Sequence, residues 1–299
     1  MLEAGAEGFQ FKKRLDSIQY LRAVAAMLIV MVHLSIFVKG EFLEKIFKLG
    51  SCGIDIFFVV CGFVSAYPMC WGAKINPLGF VIKRIKKIVP AYWAVTIFIF
   101  FVGIVKGGHA SGGMVSPERL IKSLFFVPYA DDSGHFFPIL YVGWSLNLEI
   151  AFYAFYAICL KVKNVFEIDV SYYSIFSIAL IGGVFGGSKY LNFYGSDLIV
   201  DFALGILCSK LISIMRWEGR YLIIVIFSLI FLTQYFIDGA FRTIIVGVCV
   251  ALMLFSIISR ELTTISTPNK FFVSAGNLSY YIYLLHPLAI KLAEEVIKK

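Results

Sequence analysis

Apolar residues gather into blocks of about 16 to 22, the length an α-helix needs to cross the hydrocarbon core of a bilayer. The blocks centre near residues 29, 60, 97, 150, 180, 204, 230, 250 and 281. Short polar segments separate most of them. A longer one, 106–139, is rich in Gly, Ser, Pro and Asp and reads as an extracytoplasmic loop, partly structured at best. The alternating ten-residue segments of a membrane β-barrel are absent. The pattern predicts an all-α, polytopic transmembrane helical bundle of about nine to ten helices. With no internal repeat and no soluble module, 1–299 reads as a single membrane-embedded domain. The last block ends near Leu288. Beyond it, "AIKLAEEVIKK" reads either as a short amphipathic extension or as the approach to a missing final helix.

Composition agrees with the pattern. Hydrophobic residues are 60% of the 299 and charged residues 15%, with a mean hydropathy of +0.86. That leaves too little polar surface for a soluble chain of this size. A formal charge of +8 would suggest nucleic acid in a soluble protein. Here the cations sit in short runs such as "KKR" (12–14) and "KRIKK" (83–87), and the expected partner is anionic membrane lipid, not nucleic acid. The excess of Lys and Arg in these segments places the N-terminus in the cytoplasm. The first block lacks a small-residue cleavage site and reads as a retained helix. The six cysteines show neither CxxC nor Cys/His ligand spacing. They read as packing residues, and no metal site is expected.

Charged groups inside the apolar blocks carry the chemistry. Each costs about 2.5–3.5 kcal/mol at membrane depth, so each should face protein, water or a ligand. The first block holds Arg22 and His33. Eleven residues at about 100° each bring the two within roughly 20° of one face, about 16 Å apart. Arg22 alone can snorkel to the interface; His33 lies too deep for that. Asp55, in the second block, has a depth similar to that of His33. The two read either as an Asp–His pair, with the carboxylate fixing the imidazole tautomer, or as a structural hydrogen bond between helices.

In "GWSLNLEIAFY", Glu149 lies near mid-helix below Trp144, Ser145 and Asn147. Ser145 shares its face and Asn147 points elsewhere. Glu149 reads as a proton-relay or substrate group, or as the buried partner of a cation such as Arg22. The last block aligns Ser279, Tyr283 and His286 in one polar stripe, with Pro287 kinking the helix; the alternative is an interfacial Tyr belt. Lys83, Arg84 and Lys87 read either as lipid anchors or as a phosphate-binding patch, and Pro90 suits the first turn of the helix that follows. Asp201 reads as a lone candidate or half of a structural pair. His109 and His135 read as solvated loop residues, and "GGVFGG" (182–187) as close helix packing.

Five motifs in order resemble the acyltransferase-3 family of integral membrane acyltransferases: "LRAVAAMLIVMVH" (21–33), "GSCGIDIFFVVCGF" (50–63), "KRIKKIVPAYW" (83–93), "GWSLNLE" (143–149) and "SYYIYLLHP" (279–287). The likeness is greatest to the branch that O-acetylates exopolysaccharides such as succinoglycan. Cys61 stands where the family usually has Ser, and Lys83 and Lys87 where it has Arg.

The resemblance implies a multi-pass protein of the bacterial inner membrane. It implies transfer of an acyl group, most often acetyl, from cytoplasmic acyl-CoA to a hydroxyl of a surface polysaccharide or its lipid-linked precursor. Acetyl-CoA is then a co-substrate, and no permanently bound cofactor is expected. Lys83, Arg84 and Lys87 would receive the phosphates of CoA, and Arg22 would line the route of the pantetheine arm. His33, oriented by Asp55, would act as general base or carry the acyl group. Glu149 and His286 would position the acceptor or assist proton transfer, with Trp144, Ser145, Asn147, Ser279 and Tyr283 around them. The rival reading is a transporter or flippase of glycan precursors that uses intramembrane His, Asp and Glu as a proton relay.

Overall fold

The computed structural model describes residues 14–38, 40–105, 107–110, 113–130, 134–171, 189–215, 226, 229–230, 233, 240–264 and 267–297. The apolar blocks near 180 and 230, and the glycine run at 182–187, lie wholly or mostly outside these residues. Within them the chain forms α1 (Asp16–Leu34), α2 (Glu41–Lys48), α3 (Cys52–Cys70), α4 (Pro77–Val105), α5 (Pro117–Leu124), α6 (Gly143–Phe166), α7 (Lys189–Tyr194), α8 (Leu198–Ile214), α9 (Ala240–Thr263) and α10 (Lys270–Ile297). A two-residue ribbon, β1 (His109–Ala110) with β2 (Gly113–Met114), is the one sheet among the described residues. Five helical segments there are long and apolar enough to cross a membrane: Asp16–Phe37, Glu41–Cys70, Pro77–Val105, Gly143–Phe166 and Arg242–Thr263. The fold is a polytopic helical membrane protein, as the apolar pattern predicts.

The chain divides into two compact units, Met1–Lys74 with Val200–Ser279, and Ile75–Ile199 with Tyr280–Lys299. In the first, α3 packs against both α1 and α9. Lipid tails are as apolar as Leu, so close backbone approach, which small residues permit, has to drive helix association. The glycines of "GSCGID" serve this end. A Cβ on Gly50 would run into the Leu28 carbonyl, and one on Gly53 into the carbonyl of Ala25. Gly62 lies in the same way against the Phe202 backbone of α8, while Gly205 of α8 lies against Val59 and Phe63 of α3. Phe58 and Phe202 close the contact edge-to-face at 4.6 Å.

Helix α1 starts at Asp16 after Leu15, a residue with no capping oxygen. Its open amides are satisfied from another helix: Glu261 of α9 accepts from the backbone N–H of Asp16 and of Ser17, each at 2.9 Å. A carboxylate at a helix N-terminus also complements the macrodipole.

In the second unit, α4 begins earlier than the sequence suggests. Asn76 accepts from the amides of Leu78 (3.0 Å) and Gly79 (3.2 Å), and Pro77 occupies the first turn. The basic run at 83–87 therefore lies on the helix instead of ahead of it, and Pro90 is interior instead of in the first turn. The local reason is that an Asn-Pro start is a stronger signal than the isolated Pro90. The described residues of the long loop also form more structure than its composition predicts. Ser116 caps α5 through the Arg119 amide at 3.2 Å. Ser123 Oγ accepts from the Ile139 amide at 3.1 Å and meets Tyr129 Oη at 3.0 Å. The indole of Trp93 in α4 donates to the Leu124 carbonyl at 2.8 Å. Finally, α10 continues without interruption through Pro287 to Ile297, so the charged tail extends the last helix.

Candidate functional site

In the first unit, α1 carries Arg22 and His33 on one unbroken helix, both half-buried. They share their face with Ala25, Ala26 and Ile29, which are buried, and Ala25 and Ile29 abut Gly53 of α3. The α1 positions that touch the α3 glycines, Ala25, Leu28, Ile29 and Val32, lie to one side of the Arg22–His33 stripe.

Asp55 is buried completely, but not as half of the Asp–His pair that equal depth suggested. The contact glycines set the register of α1 against α3: Gly50 lies between Leu28 and Val32, and Gly53 between Ala25 and Ile29. The helices run antiparallel, so Asp55 falls level with about Ala25, some 12 Å along the axis from His33 at 1.5 Å per residue. Its partner is instead Arg242 of α9, whose Nη2 donates to Asp55 Oδ2 at 3.1 Å and to Ser51 Oγ at 2.9 Å. Counting inward from the block ends misplaced Asp55, because α2 and a 3-10 turn at Leu49–Ser51 continue helically into α3 and lengthen that segment.

Arg242 is the residue that sequence reasoning missed. Standing at the polar edge of an apolar block, it looks like an interfacial anchor; that an aspartate on another helix lacked a cation was the available signal. Asp201 of α8 is also wholly buried, with its Oδ1 against Gly247 of α9.

In the second unit, polar groups of α4, α6 and α10 meet. Arg84 places its guanidinium 4.8 Å from the ring centre of Tyr153 and 5.3 Å from that of Phe80. Lys83 and Lys87, beside it in sequence, are exposed. Tyr153 in turn donates its phenol to Glu149 Oε1, so the arginine and the glutamate are joined through one ring. Glu149 lies near the phenols of Tyr280 and Tyr283. Tyr280 donates to the Ile88 carbonyl of α4 at 2.7 Å. Tyr283 donates to the Val142 carbonyl at 2.6 Å and meets Ser145 Oγ at 2.6 Å. Gly143 makes room for this cluster, since a Cβ there would strike the Tyr92 ring.

His286 Nδ1 lies 3.2 Å from the Ile282 carbonyl. A carbonyl only accepts, so Nδ1 carries a proton. The amide oxygen of Asn147, buried at 2% exposure, meets no donor among the described residues. Trp144 is half-buried. Ser279, grouped with Tyr283 by helical spacing, lies in the first unit and turns its hydroxyl back to the Gly276 carbonyl at 2.7 Å.

No group of three or more His, Cys, Asp or Glu side chains among the described residues has the arrangement of a metal site. None of the six cysteines forms a disulfide.

A family model described as an acyltransferase domain matches residues 15–299. The exopolysaccharide production protein ExoZ of Rhizobium meliloti (strain 1021) is 28% identical over 263 residues, covering 82% of this chain and 78% of that protein. A Komagataeibacter xylinus protein, BcsY, that carries the name of a membrane-bound transacylase is 27% identical over 157 residues, 48% of this chain and 36% of its own length. No solved structure matches. Helices that carry the five sequence motifs, and a family match running from the start of α1 onward, place the chain in the acyltransferase-3 family of integral membrane acyltransferases.

Proposed function

We propose that this membrane acyltransferase moves an acyl group, most simply acetyl, from cytoplasmic acyl-CoA to a hydroxyl of a surface polysaccharide or its lipid-linked precursor. The observation that carries the reading is the α1 stripe: Arg22 and His33 share one face of an unbroken helix, at the two stations a donor arm and an acceptor hydroxyl require. The names of the relatives, one an exopolysaccharide production protein and one a transacylase, support the acceptor class and the reaction class. Family membership replaces the transporter alternative.

In this reading the N-terminus is cytoplasmic and the membrane is the bacterial inner membrane. Arg84, its guanidinium 4.8 Å from the ring centre of Tyr153, binds the phosphates of CoA, with Lys83 and Lys87 adding long-range attraction. His33 removes the proton of the acceptor hydroxyl as the oxygen attacks the thioester carbonyl. The C–S bond breaks and the imidazolium returns that proton to the CoA sulfur, so the reaction is proton-neutral. Asp55, engaged by Arg242, holds α3 to α9 and takes no part in orienting His33. Glu149 and His286 receive the acceptor hydroxyls, with Trp144, Ser145, Asn147 and Tyr283 as the wall.

The test is acyl transfer by the purified chain from radiolabelled acetyl-CoA to its host's surface polysaccharide. His33→Ala should abolish transfer while acyl-CoA binding persists. A chain that binds glycan precursor and never consumes acyl-CoA would sink the proposal.

A further inference from the structure

We propose that the chain between α5 and α6 re-enters the membrane beside α4, and that its aromatic rings and those of α7 form a water-facing docking surface for the pyranose rings of the acceptor glycan. The identity of the occupant rests on the acyl-transfer reading above. Depth comes from contacts inside the second unit. The ribbon follows directly on the C-terminal end of α4, where the Gly108 amide donates to the Gly103 carbonyl at 2.9 Å. The end of α5 lies far from there: the Leu124 carbonyl accepts from the Trp93 indole at 2.8 Å, and Phe126 stacks on Tyr92 with ring centres 4.8 Å apart. Trp93 and Tyr92 precede Val105 by twelve and thirteen residues, about 18–20 Å along α4 at 1.5 Å per residue. Helix α6 begins at that level too, since a Cβ on Gly143 would crowd both the Tyr92 ring and Pro138. Over the stretch between, α4 turns Phe98, Phe101 and Ile104 outward, each more than half exposed, as a lipid-facing span does.

Residues 135–138 are neither helix nor strand. Such backbone cannot face hydrocarbon, because its N–H and C=O groups would find no partners there; it is either buried in protein or lines water. Pro138, Ile139 and Leu140 take the first course, with the Ile139 amide donating to Ser123 Oγ at 3.1 Å. The rings just before them take the second. His135 is exposed and stacks on half-buried Phe137 at 5.3 Å, 13° from parallel, and Phe137 meets Tyr141 at 6.3 Å. Phe136 turns the other way, onto Tyr190 of α7 at 5.3 Å and Phe193 at 5.0 Å, and Tyr190 is 53% exposed. Phe125 and Val127, also exposed, differ. Their amides close back onto α5 through the Ile121 and Lys122 carbonyls, as lipid-facing backbone requires.

Flat rings in water favour a ligand with flat apolar faces and a polar rim. A pyranose has both: C–H groups across its faces, and hydroxyls around its edge that phenols such as those of Tyr141 and Tyr190 can bond. An acyl chain has no such rim. The surface is continuous with the proposed acceptor wall, because the Tyr141 carbonyl accepts from the Trp144 amide at 3.2 Å.

The full-length protein in lipid nanodiscs, with the host's de-O-acylated surface polysaccharide as probe, tests this. A hydrophilic, membrane-impermeant maleimide should label His135→Cys and Phe137→Cys well above the background of the native cysteines, and leave Phe101→Cys on α4 unlabelled. Added polysaccharide should slow the labelling. Phe137→Ala and Tyr190→Ala should each raise KM for polysaccharide roughly 2- to 10-fold, with KM for acyl-CoA unchanged. Labelling no faster at 135 and 137 than at 101 would overturn the water-facing surface. Labelling that polysaccharide does not slow, or a polysaccharide KM that neither variant moves, would overturn the glycan as its occupant. If polysaccharide protects and acyl-CoA is never consumed, the docking surface stands and the acyl-transfer reading falls.

Discussion

Arg242 and Asp55, 187 positions apart in the chain, meet at 3.1 Å with the carboxylate wholly buried and the guanidinium side chain only 17% exposed. Removing one member of such a pair strands the other charge, which costs about 3–5 kcal/mol, whereas removing both costs far less. R242Q should therefore destabilise the protein strongly. The double variant D55N/R242Q should lose less than the sum of the two single losses, with a coupling of at least about 1–3 kcal/mol in a thermal or denaturant cycle in mild detergent. Additive effects would show that the pair contributes no coupling.

Gly62 and Gly205 set the closest approach of α3 to α8. An alanine at either position drives a methyl into a backbone carbonyl, Phe202 for the first and Val59 for the second. Each substitution should cost at least about 1–3 kcal/mol through the displacement it forces. Gly79, in the first turn of α4, is different: a methyl added there would meet only ordinary contacts, at 3.7 Å or more. Gly79→Ala should be neutral or stabilising by about 0.5 kcal/mol, and melting temperatures of the three variants side by side separate packing from general glycine effects.

Glu261 caps a helix that is not its own. Glu261→Ala removes two acceptors from the start of α1 and should cost about 0.5–2 kcal/mol. Glu261→Gln keeps one acceptor oxygen and should lose less. Hydrogen exchange at the amides of Asp16 and Ser17 is the local readout, and unchanged protection there in Glu261→Ala would refute the cap.

Arg84 and its neighbours separate charge from geometry. Arg84 is stacked on an aromatic ring while Lys83 and Lys87 are exposed, so Arg84→Lys keeps the charge and loses the planar contact. In the proposed reaction this should raise KM for acyl-CoA by roughly 2- to 30-fold, the equivalent of about 0.5–2 kcal/mol, with kcat little changed. Lys83→Arg should leave KM close to native. Equal effects at the two positions would mean that the basic run acts as undifferentiated surface charge.

Glu149 is joined to Arg84 through Tyr153. Tyr153→Phe removes the phenol that donates to Glu149 and keeps the ring beneath Arg84. Steady-state kinetics should therefore show a change in kcat or acceptor KM with donor KM unaffected. A rise in donor KM alone would place Glu149 outside acceptor handling.

Much of this protein was legible before its structure. Membrane insertion follows from apolar length, because a bilayer accepts only segments that satisfy their own backbone hydrogen bonds. The shared face of Arg22 and His33 follows from helical period, and the five motifs identified the family. These are local or periodic properties, so the order of residues along the chain was enough to set them. Depth, partnership and helix boundaries were different. Asp55 found Arg242 instead of His33 because the register of α1 on α3 is set by where Gly50 and Gly53 let two backbones touch. Counting from a block's edge carries no such information. The capping of α1 by Glu261 and the stacking of Arg84 on Tyr153 likewise depend on contacts between residues far apart in the chain. Such features emerge only when the helices pack, since buried charges and open helix ends take whichever partner close packing brings within reach.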